Sequence, residues 1–212
     1  MMVIVDYGMG NLRSAQKGFE RAGFSAEITS DPAVVGRADA VVLPGVGAFG
    51  DCYQGLVDRG LVDVVREAAT DGRPFLGICV GLQLLFDGSE ESPGCPGLGV
   101  LAGQVVRFPD ARATGLKVPH MGWNRLNPAP GRENPLLSGV SENAHAYFVH
   151  SFYARPEDPD TVLATCEYGI EFAAMVGRGG LYAVQFHPEK SQTDGLAILR
   201  AFGDMAGAGA AV

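Results

Sequence analysis

Positive charge is in short supply. The chain carries 16 Lys and Arg against 24 Asp and Glu, a formal net charge of −8 at pH 7 with histidine neutral. A nucleic-acid-binding surface needs a basic patch, and this balance argues against one. No apolar run approaches membrane-spanning length, and the opening M-M-V-I-V-D lacks the basic region of a secretory signal. The four cysteines (Cys52, Cys79, Cys95 and Cys166) form no C-x-x-C pair and keep no metal-ligand spacing with histidine. No metal is expected, and a reducing cytoplasm is the expected home. Gly8-Met9-Gly10 lacks the third glycine of a dinucleotide fingerprint, because position 13 is arginine. No cofactor is expected either. The chain has no internal repeat and no linker, and 212 residues at 47% hydrophobic suit one domain over 1–206. The Gly/Ala-rich tail, 207–212, is expected to fray.

What is present is organised around Pro74–Leu85, P-F-L-G-I-C-V-G-L-Q-L-L. Its first half is a short apolar run of the kind that forms a buried parallel strand. From Val80 the apolar residues recur at helical spacing. Between the halves, Cys79 has Gly77 two positions before it and Gly81 two after. This G-x-C-x-G is the thiol counterpart of the G-x-S-x-G nucleophile elbow. A strand that turns into a helix within two residues crowds its own backbone, and glycines on both sides relieve the clash. The turn presents the sulfur at a helix N-terminus, where N–H groups and the helix dipole favour thiolate. Alone, the cysteine would read as a buried structural residue. The flanking glycines make it a candidate nucleophile.

The chain around the elbow alternates strands and helices. Met1–Asp6, Ser25–Thr29 and Ala40–Leu43 read as strands. Leu12, Ala15, Phe19 and Ala22 mark a helix stopped by Gly23, and Asp31-Pro32 caps another. Leu61–Ala69 reads as a helix ended by Gly72. This is the pattern of an α/β fold with a doubly wound, open, mainly parallel sheet, whose ligand crevice lies beyond the strand C-termini. Asp87–Gly99 reads as loop. Beyond it, extended pieces at Gly103–Phe108, Val118–Trp123, His145–Tyr153, Val162–Cys166, Phe172–Val176 and Leu181–Phe186 indicate an antiparallel portion, with a hairpin at Arg178-Gly179-Gly180. A last helix follows Thr193-Asp194.

A thiolate nucleophile needs a base, and the base needs an orienting group. His187 is followed by Pro188, which favours extended geometry, and then by Glu189. Residues two apart in extended chain point to one side, so His187 and Glu189 can face one crevice. His120, His145 and His150 have no carboxylate placed in this way and read as structural or surface residues.

Taken together, G-I-C-x-G-x-Q-L-L and Q-F-H-P-E-K-S resemble the class I glutamine amidotransferases, a flavodoxin-like fold. V-D-Y-G-M-G-N-L-R-S, P-G-V-G-A-F-G at 44–50, K-V-P-H-M-G-W-N at 117–124 and Y-F-V-H-S-F-Y at 147–153 narrow the likeness to the glutaminase subunits of imidazole glycerol phosphate synthase. The resemblance implies an enzyme that hydrolyses L-glutamine through Cys79, His187 and Glu189. It implies oxyanion donors from the backbone of Val80 and of the Pro44–Gly47 loop around Val46. It places Gly47, Gln83, Glu91, Ser151 and Phe152 at the glutamine. It also implies a heterodimer with a (β/α)₈-barrel cyclase subunit, to which ammonia passes in histidine biosynthesis, with Asn11, Met121, Trp123 and Tyr147 at the interface. Two other readings stand beside it: a glutaminase subunit of another ammonia-using synthase, and a catalytically silent binding module.

Overall fold

A computed structural model describes residues 1–109 and 115–207. Of the expected tail, Gly207 sits in a turn and 208–212 lie outside the described residues.

The N-terminal part follows the expected alternation. β1 (Met2–Val5) leads to α1 (Leu12–Ala22), β2 (Ala26–Thr29), α2 (Pro32–Gly36) and β3 (Ala40–Gly45). Two further helices, α3 (Phe49–Asp58) and α4 (Val62–Ala68), precede β4 (Phe75–Cys79). α1 ends at Gly23 in the left-handed conformation, φ +101°, as its position after the last apolar residue indicates. Asp31 accepts from the Ala33 N–H and caps α2, with Pro32 at its first position.

As β5 (Gly88–Ser89) is an unanticipated strand inside the stretch 87–99 read as loop, so α3 is the helix the sequence analysis did not anticipate. Its own N-cap, Ala48, offers no side-chain acceptor. The loop after the elbow supplies the caps instead: Glu91 Oε2 accepts from Phe49 N–H at 2.8 Å and Ser92 Oγ from Gly50 N–H at 3.0 Å.

After β4 comes α5 (Val80–Gln83), much shorter than the apolar run Val80–Leu85 suggested. The carbonyls of Leu84, Leu85 and Phe86, which would continue a helix, accept instead from backbone N–H groups of residues 98 to 101. The second half comprises β5 (Gly88–Ser89), β6 (Gly103–Arg107), β7 (His120–Arg125), β8 (Asn127–Pro128), β9 (His145–His150), β10 (Phe152–Pro156), β11 (Val162–Glu167), β12 (Glu171–Arg178) and β13 (Leu181–Val184). The chain closes with α6 (Gln192–Met205).

Eight strands form the central sheet in the order β2-β1-β3-β4-β13-β12-β11-β8. The β2-β1-β3-β4-β13 portion is parallel and the β13-β12-β11-β8 portion antiparallel. Arg178 pairs with Leu181, which makes the Gly179-Gly180 hairpin real. Every residue of β1, β3 and β4 is buried. Successive side chains leave a strand on opposite faces, so both faces of the sheet are covered. α1 packs on α6 through Phe19 and Phe202, whose rings lie 5.9 Å apart, and α2 packs on α4. β7 and β9 form a separate two-stranded ribbon with Trp123 opposite Tyr147. This topology brings the C-terminal ends of β3, β4 and β13 side by side, with Gly45 paired to Cys79.

Candidate active site

Cys79 ends β4 with φ +57° and ψ −111°; among the described non-glycine residues only it and Gln192 have positive φ. Such strain persists only where the surroundings enforce it, and the glycines show how. A Cβ on Gly81 would lie 1.8 Å from the Leu43 carbonyl oxygen, and one on Gly77 would lie 2.9 Å from the Gly81 oxygen. Gly45, across from the elbow, has no room either: a Cβ there would meet Gly81 N, Val80 Cβ and the Tyr7 hydroxyl, each at 2.8 Å. The elbow is wedged between β3 and β13.

The sulfur opens into a cavity of about 310 Å³. Val46, Gly47, Val80, Gln83, Glu91, Ser151, Phe152 and His187 all line it, so one crevice gathers the expected nucleophile, base, oxyanion and glutamine positions. The PGVG loop is held from beneath: Tyr7 Oη donates to the Pro44 carbonyl at 2.7 Å, and the Cys52 thiol donates to the Val46 carbonyl at 3.4 Å. Burial pushes the Tyr7 hydroxyl well up and the Cys52 thiol to about 11, so both stay protonated donors at neutral pH.

His187 follows β13 and has extended backbone, φ −102° and ψ 98°. The expectation that Glu189 continues that extended chain does not hold. Pro188–Lys190 forms a 3₁₀ turn, which curls the carboxylate back under the ring. The pair forms nonetheless, with His187 Nδ1 donating to Glu189 Oε1 at 2.9 Å and both side chains almost fully buried. Burial alone would lower the imidazole pKa. The Cys79 sulfur and the Glu189 carboxylate outweigh burial and raise it to about 9. His187 Nε2 is buried and makes no hydrogen bond of good geometry, while the nearby Cys79 sulfur favours a proton on the ring. That nitrogen is left to receive or deliver a proton.

The glutamine-side residues also hold structural bonds. Glu91 caps α3 through one oxygen while lining the cavity. Gln83 Nε2 donates to the Phe152 carbonyl at 3.0 Å and to Gln185 Oε1 at 3.1 Å.

Of the four expected interface residues, three share a surface. Met121 and Trp123 are 62% and 46% exposed on the outward face of the β7–β9 ribbon. The Trp123 ring stands 6.0 Å from that of the half-buried Tyr147, which also receives Lys190 Nζ at 5.7 Å. Asn11 lies apart, as the N-cap of α1, accepting from Ser14 N–H at 3.4 Å. It borders a small space behind the triad shared with His187 and Glu189.

His120 and His150 are structural. Burial lowers their pKa values to about 4 and about 3, so both are neutral. His150 Nδ1 donates to the Phe152 carbonyl at 2.9 Å, leaving its Nε2 to accept from His120 Nδ1 at 3.1 Å. His145 is exposed, its Nδ1 donating to the Asn143 carbonyl at 2.8 Å.

Two residues of the site were missed. Ser191 Oγ donates to the His187 carbonyl at 2.7 Å and accepts Tyr147 N–H at 2.9 Å, tying the base to β9. Gln185, fully buried, touches both Cys79 and Gln83. Its signal was available: it stands two residues before His187, on the same side of an extended chain.

The family model described as glutamine amidotransferase class-I matches residues 3–205. The chain is 55% identical over 208 residues to a protein of Syntrophotalea carbinolica named imidazole glycerol phosphate synthase subunit HisH, covering 97% of this chain and 100% of that one. It is 52% identical over 207 residues to the protein of the same name from Geobacter sulfurreducens, covering 96% and 98%. Among solved structures, a glutamine amidotransferase superposes with TM-score 0.73 at 25% identity, covering 97% of this chain and 98% of that one. PurLQS from Thermotoga maritima shares the fold, with TM-score 0.70 at 17% identity, covering 96% and 97%. Among the described residues no helix is long and apolar enough to cross a membrane, and no group of three or more His, Cys, Asp or Glu could hold a metal ion.

Proposed function

The chain belongs to the class I glutamine amidotransferases, and from that premise we propose that it is the glutaminase subunit of an imidazole glycerol phosphate synthase, working through Cys79, His187 and Glu189. The observation that carries the site assignment is His187, held by buried Glu189 at 2.9 Å and bordering the same cavity as a cysteine in a strained elbow.

In this reading the Cys79 thiolate attacks the side-chain amide carbon of L-glutamine. The developing oxyanion is met by preorganised N–H donors, the Val80 amide and one from the loop around Val46. His187 Nε2, protonated at neutral pH, delivers its proton to the departing amine, and ammonia leaves behind a glutamyl thioester. The now neutral imidazole takes a proton from water, whose oxygen attacks the thioester, releasing glutamate and restoring the thiolate. Glu189 holds Nδ1–H throughout, so Nε2 faces the reaction. Glu91 complements the ammonium of the substrate, with Gln83 beside it, and backbone groups of Gly47, Ser151 and Phe152 complement its carboxylate.

Ammonia released at neutral pH protonates and loses its nucleophilicity, so the product is useful only if a partner receives it directly. The proposed partner is the cyclase subunit, in a cytoplasmic heterodimer. The exposed Met121 and Trp123 beside Tyr147 form the apolar patch that suits docking. Labelling with a glutamine-analogue electrophile tests the site: modification of Cys79, blocked by L-glutamine, is expected. Hydrolysis assayed for the chain alone, with the cyclase, and with cyclase plus its ligand tests the partnership. A rise at each addition is expected; full activity in the isolated chain, unchanged by either addition, would overturn it.

A further inference from the structure

We propose that Gln185 is a working part of the nucleophile site: its amide donates a hydrogen bond to the Cys79 sulfur and, through Gln83, fixes which face of a second amide the substrate meets. The inference rests on the glutaminase reading above and adds to it a residue and a polarity.

The Phe152 backbone carbonyl has an unambiguous polarity. It can only accept hydrogen bonds. It receives Gln83 Nε2 at 3.0 Å, so the nitrogen of Gln83, and not its oxygen, points there. His150 Nδ1 donates to the same carbonyl at 2.9 Å, as the neutral ring allows. The same Gln83 nitrogen then donates to the side chain of Gln185 at 3.1 Å, and the atom receiving it must be Oε1. Gln185 Nε2 is thereby turned to Cys79 Sγ, 3.8 Å away. One backbone oxygen thus sets the direction of two side-chain amides in series. Flipping either one would set two acceptors, or two donors, face to face.

Two consequences follow. The sulfur receives an N–H donor from a side chain with no exposed surface, in addition to its interaction with His187. A donor aimed at the sulfur stabilises negative charge that develops on it during the reaction. Both hydrogens of the Gln83 amide are also consumed inside the protein. What Gln83 can still offer the cavity is its oxygen, so it recognises a donor on the substrate, an ammonium or amide N–H, and not the substrate carboxylate. Gln185 sets that polarity without touching the substrate.

The titratable groups around Cys79 are few and come from different elements. His187 and Glu189 lie on the turn after β13. Tyr7 precedes α1, and Cys52 lies on α3. Glu91 borders the cavity from the loop after α5, and His150 from β9. None is altered by Gln185→Met, which adds no titratable group, so the pH response of the sulfur in that variant is a clean readout.

The test follows iodoacetamide alkylation of the Cys79 peptide by mass spectrometry across pH in the full-length chain, with Cys95 as internal control. The variants are Gln185→Glu, Gln185→Met and Gln83→Leu. Gln185→Glu keeps an acceptor for Gln83 but turns an acceptor to the sulfur. Gln185→Met is neutral and of similar volume, so the test survives if a buried carboxylate unfolds the chain. Both are expected to move the Cys79 alkylation profile to higher pH and slow it by about three- to tenfold at neutral pH, the scale of one net hydrogen bond. Gln83→Leu removes the bond that fixes the direction of the Gln185 amide, so it is expected to shift the alkylation profile the same way by a smaller amount and to raise KM for L-glutamine. A folded position-185 variant with the wild-type alkylation profile would overturn the proposal, even if Cys79→Ala abolished hydrolysis. Persistent hydrolysis in Cys79→Ala would instead defeat the underlying glutaminase reading.

Discussion

His187 donates its backbone N–H to the carbonyl of Tyr147 at 2.9 Å. The strand whose outward face carries Tyr147 beside Trp123 is therefore bonded directly to the residue proposed as acid and base. The proposed docking face and the proposed base share one backbone contact, and Ser191 doubles it by bridging Tyr147 N–H to the His187 carbonyl. The consequences can be measured.

Ser191→Ala removes a buried hydroxyl that satisfies two backbone groups at once. Leaving Tyr147 N–H unpaired is expected to cost about 1–3 kcal/mol in urea unfolding. It should also lower kcat for glutamine hydrolysis more than it raises KM, because the base moves and the substrate contacts do not. A stable variant with wild-type kcat would show that the bridge is dispensable.

Trp123→Ala should leave the chain folded, since the ring is 46% exposed, and should weaken the complex with the cyclase. If Trp123 anchors the interface, the loss is at least about 2 kcal/mol, or roughly thirtyfold in Kd. Titration calorimetry measures it directly, and an unchanged Kd would remove the β7–β9 ribbon from the interface.

The elbow makes a sharp steric prediction. Gly81→Ala puts a Cβ 1.8 Å from a backbone oxygen of β3, which neither strand nor turn can escape. Its cost should exceed about 4 kcal/mol or prevent folding. Gly60→Ala is the control: φ is +64° but no atom lies within 4 Å, so only the left-handed penalty of about 1–2 kcal/mol applies. Thermal unfolding of the two variants separates crowding from conformation.

His187 gives a pH dependence with a definite sign. Its pKa is raised in the folded chain to about 9 from 6.5, so the folded state binds the proton more tightly. The stabilisation is fully present below about pH 6.5 and is lost as pH rises through about 9. Urea unfolding of wild type should therefore weaken across that window, and His187→Asn should show a flatter curve. Parallel curves would mean that the imidazolium is not held by its partners.

Much of this was legible because it is local. Gly77 and Gly81 announce the elbow through spacing alone, and the clashes they avoid are the ones the motif implies. Gly23, Asp31-Pro32 and Gly179-Gly180 marked their cap and turn positions in the same way. What was illegible is what distant chain supplies. α3 has no cap of its own, so the periodicity of 49–58 carried no start signal; Glu91 and Ser92 provide it from 42 residues away. α5 stops early because residues 98 to 101 claim the carbonyls of Leu84, Leu85 and Phe86, which would continue it. Glu189 reaches His187 through a 3₁₀ turn that the extended-chain argument did not foresee, so the pair was identified through the wrong backbone. Gln185 was passed over because an amide carries no charge and advertises its partners only once β4 and β13 are paired.

The central claim is that Cys79 is the nucleophile of a glutaminase oriented by His187 and Glu189. The most direct measurement is steady-state L-glutamine hydrolysis by wild type, Cys79→Ala, His187→Asn and Glu189→Gln, each saturated with the cyclase. The account predicts no glutamate above background for Cys79→Ala, a loss of about 10²–10⁴-fold for His187→Asn, and a smaller loss for Glu189→Gln. Hydrolysis by folded Cys79→Ala at near the wild-type rate would contradict it.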